Sequence, residues 1–135
     1  MAISILFHQL FFLHHKSDLI VLTGNLYGEV PSKILNVGDN QAEEALKWWK
    51  AHFGDDLYIE LMRHGQEDEK RANQVLIQFA QKHDLWVISD EIYADIVFGD
   101  EFSSALSFDE ERTLIVSGMS KSYAMTGRII LLPFH

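Results

Sequence analysis

Asp90, Tyr93, Lys121 and Arg128 have the side-chain types and spacing for carbonyl chemistry. A lysine amine attacks carbonyls once burial or a neighbouring cation lowers its proton affinity. A carboxylate at the end of a nearby strand can hold a protonated ring nitrogen, and a tyrosine hydroxyl can hydrogen-bond a ring oxygen. An arginine together with a serine hydroxyl, here Ser117 or Ser120, can hold a phosphate. Lys121 lies in "VSGMSKSYAMTGR", just after an apolar run, and Asp90 and Tyr93 lie in "SDEIY". Taken together these are the requirements of pyridoxal phosphate. A lysine beside a strand is also, in many proteins, simply a solvated loop residue. The elements that carry these groups therefore matter.

The chain alternates strand-like and helix-like segments. "DLIVLT" (18–23) reads as a short buried strand, with Gly24 and Asn25 as turn formers. "YGEVPSKILN" reads as a loop or one short turn, because Pro31 interrupts any helix before it. "NQAEEALKWWKAHF" (40–53) has apolar residues at helical spacing, an Asn cap and Gly54 as terminator. "DLYIELMR" (56–63) alternates as a strand does, and "HGQED" turns the chain, with His64 as an exposed turn residue. "EDEKRANQVLIQFAQKH" follows as an amphipathic helix with acids in its first turn. "LWVISDEIY" (85–93) and "RTLIVSG" (112–118) are further strands. The expectation is an α/β fold with a mostly parallel sheet. Asp90 and Lys121 fall at or just beyond strand carboxyl ends, where ligands gather in such sheets.

The 135 residues suffice for one domain with an ordinary core. A formal charge of −9 opposes general binding to nucleic acid, which needs clustered cations. With no cysteine there is no disulfide, thiol nucleophile or Cys-based zinc site. The apolar run Ile3 to Leu13 is too short to span a bilayer and lacks the basic start and cleavage site of a signal peptide. It reads as a buried or frayed segment, and the whole chain as cytoplasmic with no membrane partner.

"HDLWVISDEIYADIVF" with "RTLIVSGMSKSYAMTGR" resembles the core of class I/II aminotransferases, the fold-type I pyridoxal phosphate enzymes, over residues 80–130 or so. The resemblance implies Asp90 as the partner of the pyridinium nitrogen and Tyr93 as the partner of the ring's phenolic oxygen. It implies Lys121 as the lysine that joins the cofactor and later moves the proton, with Ser117 or Ser120 and Arg128 on the phosphate. An amino acid or 2-oxo acid substrate is implied for an active chain, and a homodimer for a completed fold. One departure stands out: the family usually has an aromatic residue between glycine and arginine, whereas Gly127 is followed directly by Arg128. In an extended segment a one-residue deletion turns the following side chains to the other face.

Residues 18–84, through "DLIVLTGNLYGEVPSKIL", "AEEALKWWKAHFGDDLYIELMRHGQEDE" and "ANQVLIQFAQKH", resemble instead the PHP domain of bacterial DNA polymerase III alpha subunits. That resemblance implies a divalent metal, with Glu60 at a ligand position; the family's early His-x-His pair is absent, since His14-His15 has the wrong spacing. The two resemblances meet within "FAQKHDLWVIS", where both families run from a helix end into a strand. The expected organisation is an unassigned segment 1–17, a PHP-like fragment 18–84, an aminotransferase-like fragment 85–130 and an unassigned tail 131–135, incomplete relative to either parent family. Such a composite arises from recombination, from a shifted or misassembled reading frame, or by engineering. The functional expectation is an aminotransferase signature without independent turnover. The alternatives are a metal-binding, polymerase-associated fragment and a composite chain with no activity of its own.

Overall fold

A computed structural model describes residues 19–64, 66–92 and 104–118, together with the backbone of 129–131. Tyr93, Ser120, Lys121, Arg128, the segment 1–17 and residues 132–135 lie outside the described residues. In chain order the elements are β1 (Val21–Leu22), α1 (Glu29–Asn36), α2 (Asp39–Phe53), a 3-10 turn (Gly54–Asp56) and β2 (Leu57–Met62). They continue with α3 (Glu67–His83), β3 (Trp86–Asp90), a second 3-10 turn (Ala105–Ser107), β4 (Thr113–Gly118) and β5 (Ile129–Leu131). The strands form one sheet in the order β1-β2-β3-β4-β5. The first four are parallel and β5 is antiparallel to β4. The expected α/β class with a mostly parallel sheet holds.

Alternation along the strands divides the sheet into two faces. On β2, Leu57, Ile59 and Leu61 are fully buried, while Tyr58, Glu60 and Met62 are partly exposed. Register puts Val87, Ser89, Thr113 and Ile115 on the face of Ile59 and Leu61. This closed face packs against the helices: Val30 and Ile34 of α1, Ala42, Leu46 and Phe53 of α2, and Leu76, Phe79 and Ala80 of α3 share one cluster with it. Full burial of side chains such as Leu76 and Phe79 stabilises by about 1.5–3 kcal/mol each. The opposite, open face carries Glu60, Met62, Ile88, Asp90 and Val116, with Trp86 and Leu114 about two-fifths exposed.

Helix boundaries follow local chemistry, with two departures from expectation. Pro31 does not prevent a helix: it falls in the first turn of α1, where its missing N–H has no intrahelical partner to lose. The α2 helix begins at Asp39 behind Gly38 and uses no side-chain cap, so Asn40 lies inside the helix. In α3, Gln66 and Glu69 form a reciprocal capping box, and the helix ends in the left-handed residue Asp84. The Leu85 amide then returns to the Ala80 carbonyl at 3.0 Å, which turns the chain directly into β3.

Candidate functional site at the strand ends

The four parallel strands point their carboxyl ends to one edge of the sheet, where Asp90 lies and Ser117 is one residue short of the end of β4, while Glu60 sits two residues inside β2. Asp90 is the last residue of β3 and belongs to the open face, level with Met62 on β2 and Val116 on β4. Its Oδ1 accepts the Ile92 amide at 3.1 Å, a local turn that fixes the carboxylate against its own backbone. Glu60 lies on the same face of the neighbouring strand, level with Ile88. Burial, and then the charge of Asp90, push the Glu60 carboxyl above its usual range. The Glu60 amide donates to Thr23 Oγ1 at 2.9 Å and so ties β2 to the residue just beyond β1.

Ser117 lies in β4, adjacent to Val116, and alternation assigns it to the face opposite Asp90. The structure therefore brings Asp90 and Glu60 together and does not bring Ser117 to them. His64 is an exposed residue of the β2–α3 turn, as expected, yet it is tied down: its amide and its Nδ1 both meet the Glu69 carboxylate at 2.8 Å. Among the described residues no group of three His, Cys, Asp or Glu side chains could hold a metal ion. No helix among them is long and apolar enough to cross a membrane.

Sequence reasoning missed Glu91, which follows Asp90 and points to the closed face. It is buried, and its carboxylate accepts from Ser89 Oγ at 3.1 Å, from the Ala105 amide at 2.8 Å, and from Ser104 Oγ at 2.9 and 3.2 Å on its two oxygens. Arg63, just past β2, brings its guanidinium to 3.9 Å. The available signal was the alternation itself: in "WVISDEIY", a carboxylate in phase with Val87 and Ser89 must enter the covered side. Chemically, the open face offers two neighbouring carboxylates that suit a cationic group such as a protonated ring nitrogen, and Asp90 fits that requirement. Ser117 does not fit as a phosphate donor to the same group.

Comparison with known proteins returns two families on one chain. Residues 70–130 match the family model "Aminotransferase class I and II", and residues 5–64 match "PHP domain". The "Putative aminotransferase YugH" of Bacillus subtilis is 50% identical over 65 residues, which are 47% of this chain and 17% of that protein. The DNA polymerase III subunit alpha of Vibrio cholerae is 33% identical over 91 residues, 67% of this chain and 8% of that protein. A tetra mutant of Thermus thermophilus aspartate aminotransferase, solved with tryptophan, is 23% identical, with 73% of this chain and 26% of that one covered at a TM-score of 0.49. The chain thus spans less than a fifth of these curated relatives, and it is a composite of two resemblances.

Proposed function

We propose that the chain carries part of the cofactor site of a pyridoxal phosphate-dependent aminotransferase and does not turn over substrate by itself. The observation that supports this most directly is Asp90: an open-face carboxylate at the carboxyl end of a parallel strand, inside the segment that matches the aminotransferase model. When bound, pyridoxal phosphate supplies an electron-withdrawing ring that stabilises negative charge beside an amino group. Asp90 would hold the ring's protonated nitrogen, and Tyr93 would donate to the ring oxygen. Lys121 would hold the carbonyl carbon and move a proton between substrate positions. Arg128 and a serine would hold the phosphate. Of the two serines Ser120 is the better choice, because Ser117 lies on the face opposite Asp90. In a completed fold the substrate class would be amino acids and their 2-oxo acids and the assembly a homodimer; the compartment is the cytoplasm. Positioning such groups needs a supporting shell, and the short span relative to YugH is the reason for denying independent turnover.

Adding pyridoxal phosphate to the purified chain tests this reading. The bound-cofactor absorbance band is expected in the wild type and is expected to vanish in Lys121→Ala. No band in the wild type, or an equal band in the variant, sinks the proposal.

A second reading rests on Glu60, which lies within the residues matching the PHP model and next to Asp90. Under it the chain is a metal-binding, polymerase-associated fragment with Glu60 as a ligand. Manganese or zinc titration of wild type and Glu60→Ala discriminates, and equally negligible binding by both removes this reading. Failure of both experiments leaves a composite α/β chain with no activity of its own.

A further inference from the structure

We infer that Glu91 is the positioning residue for Asp90: by filling a donor-lined site on the closed face, it fastens the end of β3 so that the Asp90 carboxylate is held on the open face. Asp90 and Glu91 are consecutive, so an extended backbone sends one to each side of the sheet. A slip of one residue would exchange them, carrying Glu91 out and Asp90 in. The slip would also carry buried Val87 and Ser89 to the open face, so the apolar phase of β3 favours the observed arrangement, and what Glu91 adds is a fastening at the strand's end.

Donors on the closed side hold Glu91 in that phase. Ser89 Oγ, Ser104 Oγ and the Ala105 amide converge on the Glu91 carboxylate, with the Arg63 guanidinium close by. A buried carboxylate is costly unless its oxygens are satisfied, and among the described residues no buried side-chain polar atom lacks a partner. A slip would also take Ser89 away with its strand, and Asp90, shorter by one methylene, would match the remaining Ser104 hydroxyl and Ala105 amide less well. The Glu91 amide completes the arrangement by donating to the Val116 carbonyl at 2.9 Å, beyond the last paired residue of β3. With Glu91 fastened on one side and its amide on β4, Asp90 turns outward and accepts the Ile92 amide.

The groups around Glu91 come from both sides of the composite, the hydrogen-bond donors from one and the Arg63 ion pair, at 3.9 Å, from the other. Arg63 lies within the residues matching the PHP model, whereas Ser89, Ser104 and Ala105 lie within those matching the aminotransferase model. Glu91 therefore fastens the two segments to each other at the edge where Asp90 is presented.

The importance of Asp90 rests on the cofactor reading above, whereas the positioning itself rests on the hydrogen bonds, and the test separates them. Amide hydrogen exchange by NMR on the full chain follows Ile92, whose amide reports the Asp90 carboxylate, and Ala105, whose amide reports Glu91. Glu91→Ala is expected to speed exchange at both amides about 10- to 100-fold, in keeping with the loss of a charge-assisted hydrogen bond, and to abolish the pyridoxal phosphate band. Glu91→Gln, which keeps an acceptor oxygen, is expected to restore most of the protection and the band. Unchanged Ile92 exchange in a folded Glu91→Ala, a full cofactor band in that variant, or no rescue by Gln overturns the inference. If Glu91→Ala does not fold, Ser104→Ala, which removes one hydroxyl from the same carboxylate, decides by the same readouts. If the wild type shows no band with pyridoxal phosphate, the cofactor reading fails and Ile92 exchange alone decides the role of Glu91.

Discussion

Glu60 and Asp90 face outward from neighbouring strands, and the cost of that proximity falls on Glu60. Burial and the Asp90 charge raise its carboxyl above the usual 4.5. A carboxyl that binds its proton more tightly folded than unfolded stabilises the fold fully below the usual value, and that stabilisation is lost as pH rises through the folded value. Glu60→Gln is therefore expected to raise the melting temperature at about pH 7 and to leave it nearly unchanged at about pH 3.5, below both values. Circular dichroism melts at the two pH values check this, and an equal change at both would contradict the pairing. The positions of Asp90 at a strand end and of Glu60 within a strand were legible in the sequence, because "DLYIELMR" and "LWVISDEIY" alternate plainly. Their adjacency was not: it depends on the parallel register that sets Glu60 level with Ile88, which no local pattern encodes. Ser117 shows the same limit, since which face a strand residue takes depends on where the strand pairs.

At the scale of elements, the helices were readable where periodicity and caps agree. The α3 helix spans Glu67–His83, the stretch its amphipathic pattern predicts, because acids, a capping box and a clear apolar stripe all point the same way. The segment of α1 reads as a loop or one short turn when Pro31 counts only as a breaker, whereas in the first turn of a helix it breaks nothing. What the sequence concealed there is a close approach: Gly28, just before α1, has ordinary backbone angles, but a Cβ on it would stand 2.1 Å from the Thr23 carbonyl oxygen. Its role is spatial, and it lets α1 start directly against the end of β1. Gly28→Ala is expected to destabilise the chain by about 1–3 kcal/mol, as overpacking does. Urea unfolding measures this, and a variant as stable as the wild type would show that the turn can move aside. Thr23 links this turn to the strand edge through its bond to the Glu60 amide, so displacement here reaches the candidate site.

For the whole molecule, the two resemblances do not correspond to two cores. Leu57, Ile59 and Leu61 come from residues matching the PHP model, and Leu76, Leu85, Val87 and Ala105 from those matching the aminotransferase model, yet all belong to one buried cluster. The sheet is equally continuous, with β2 paired to β3 over five residue positions, Tyr58 to Met62. Residues 1–84 and 85–135 expressed separately are thus expected to lack cooperative unfolding, whereas the intact chain keeps it. Heat or denaturant melts of the three chains decide, and a sharp transition in either piece would establish it as an independent unit. The composite was visible from motifs; the shared core was not, because burial depends on contacts between segments distant in sequence.

The β2–α3–β3 unit has a consequence for how the chain folds as well as for what it holds. Its helix is capped at both ends by its own residues, and its strands are joined by that single crossover. Contacts between residues close in sequence incur little loop-closure entropy, so they tend to form early. This unit is then the natural nucleus: φ-values should be highest for Leu61, Leu76 and Val87 and low for Val21 and the residues of β4. The stretch where two family patterns meet would be the first part of the chain to acquire its native structure, with the strand ends that carry the candidate chemistry completed around it.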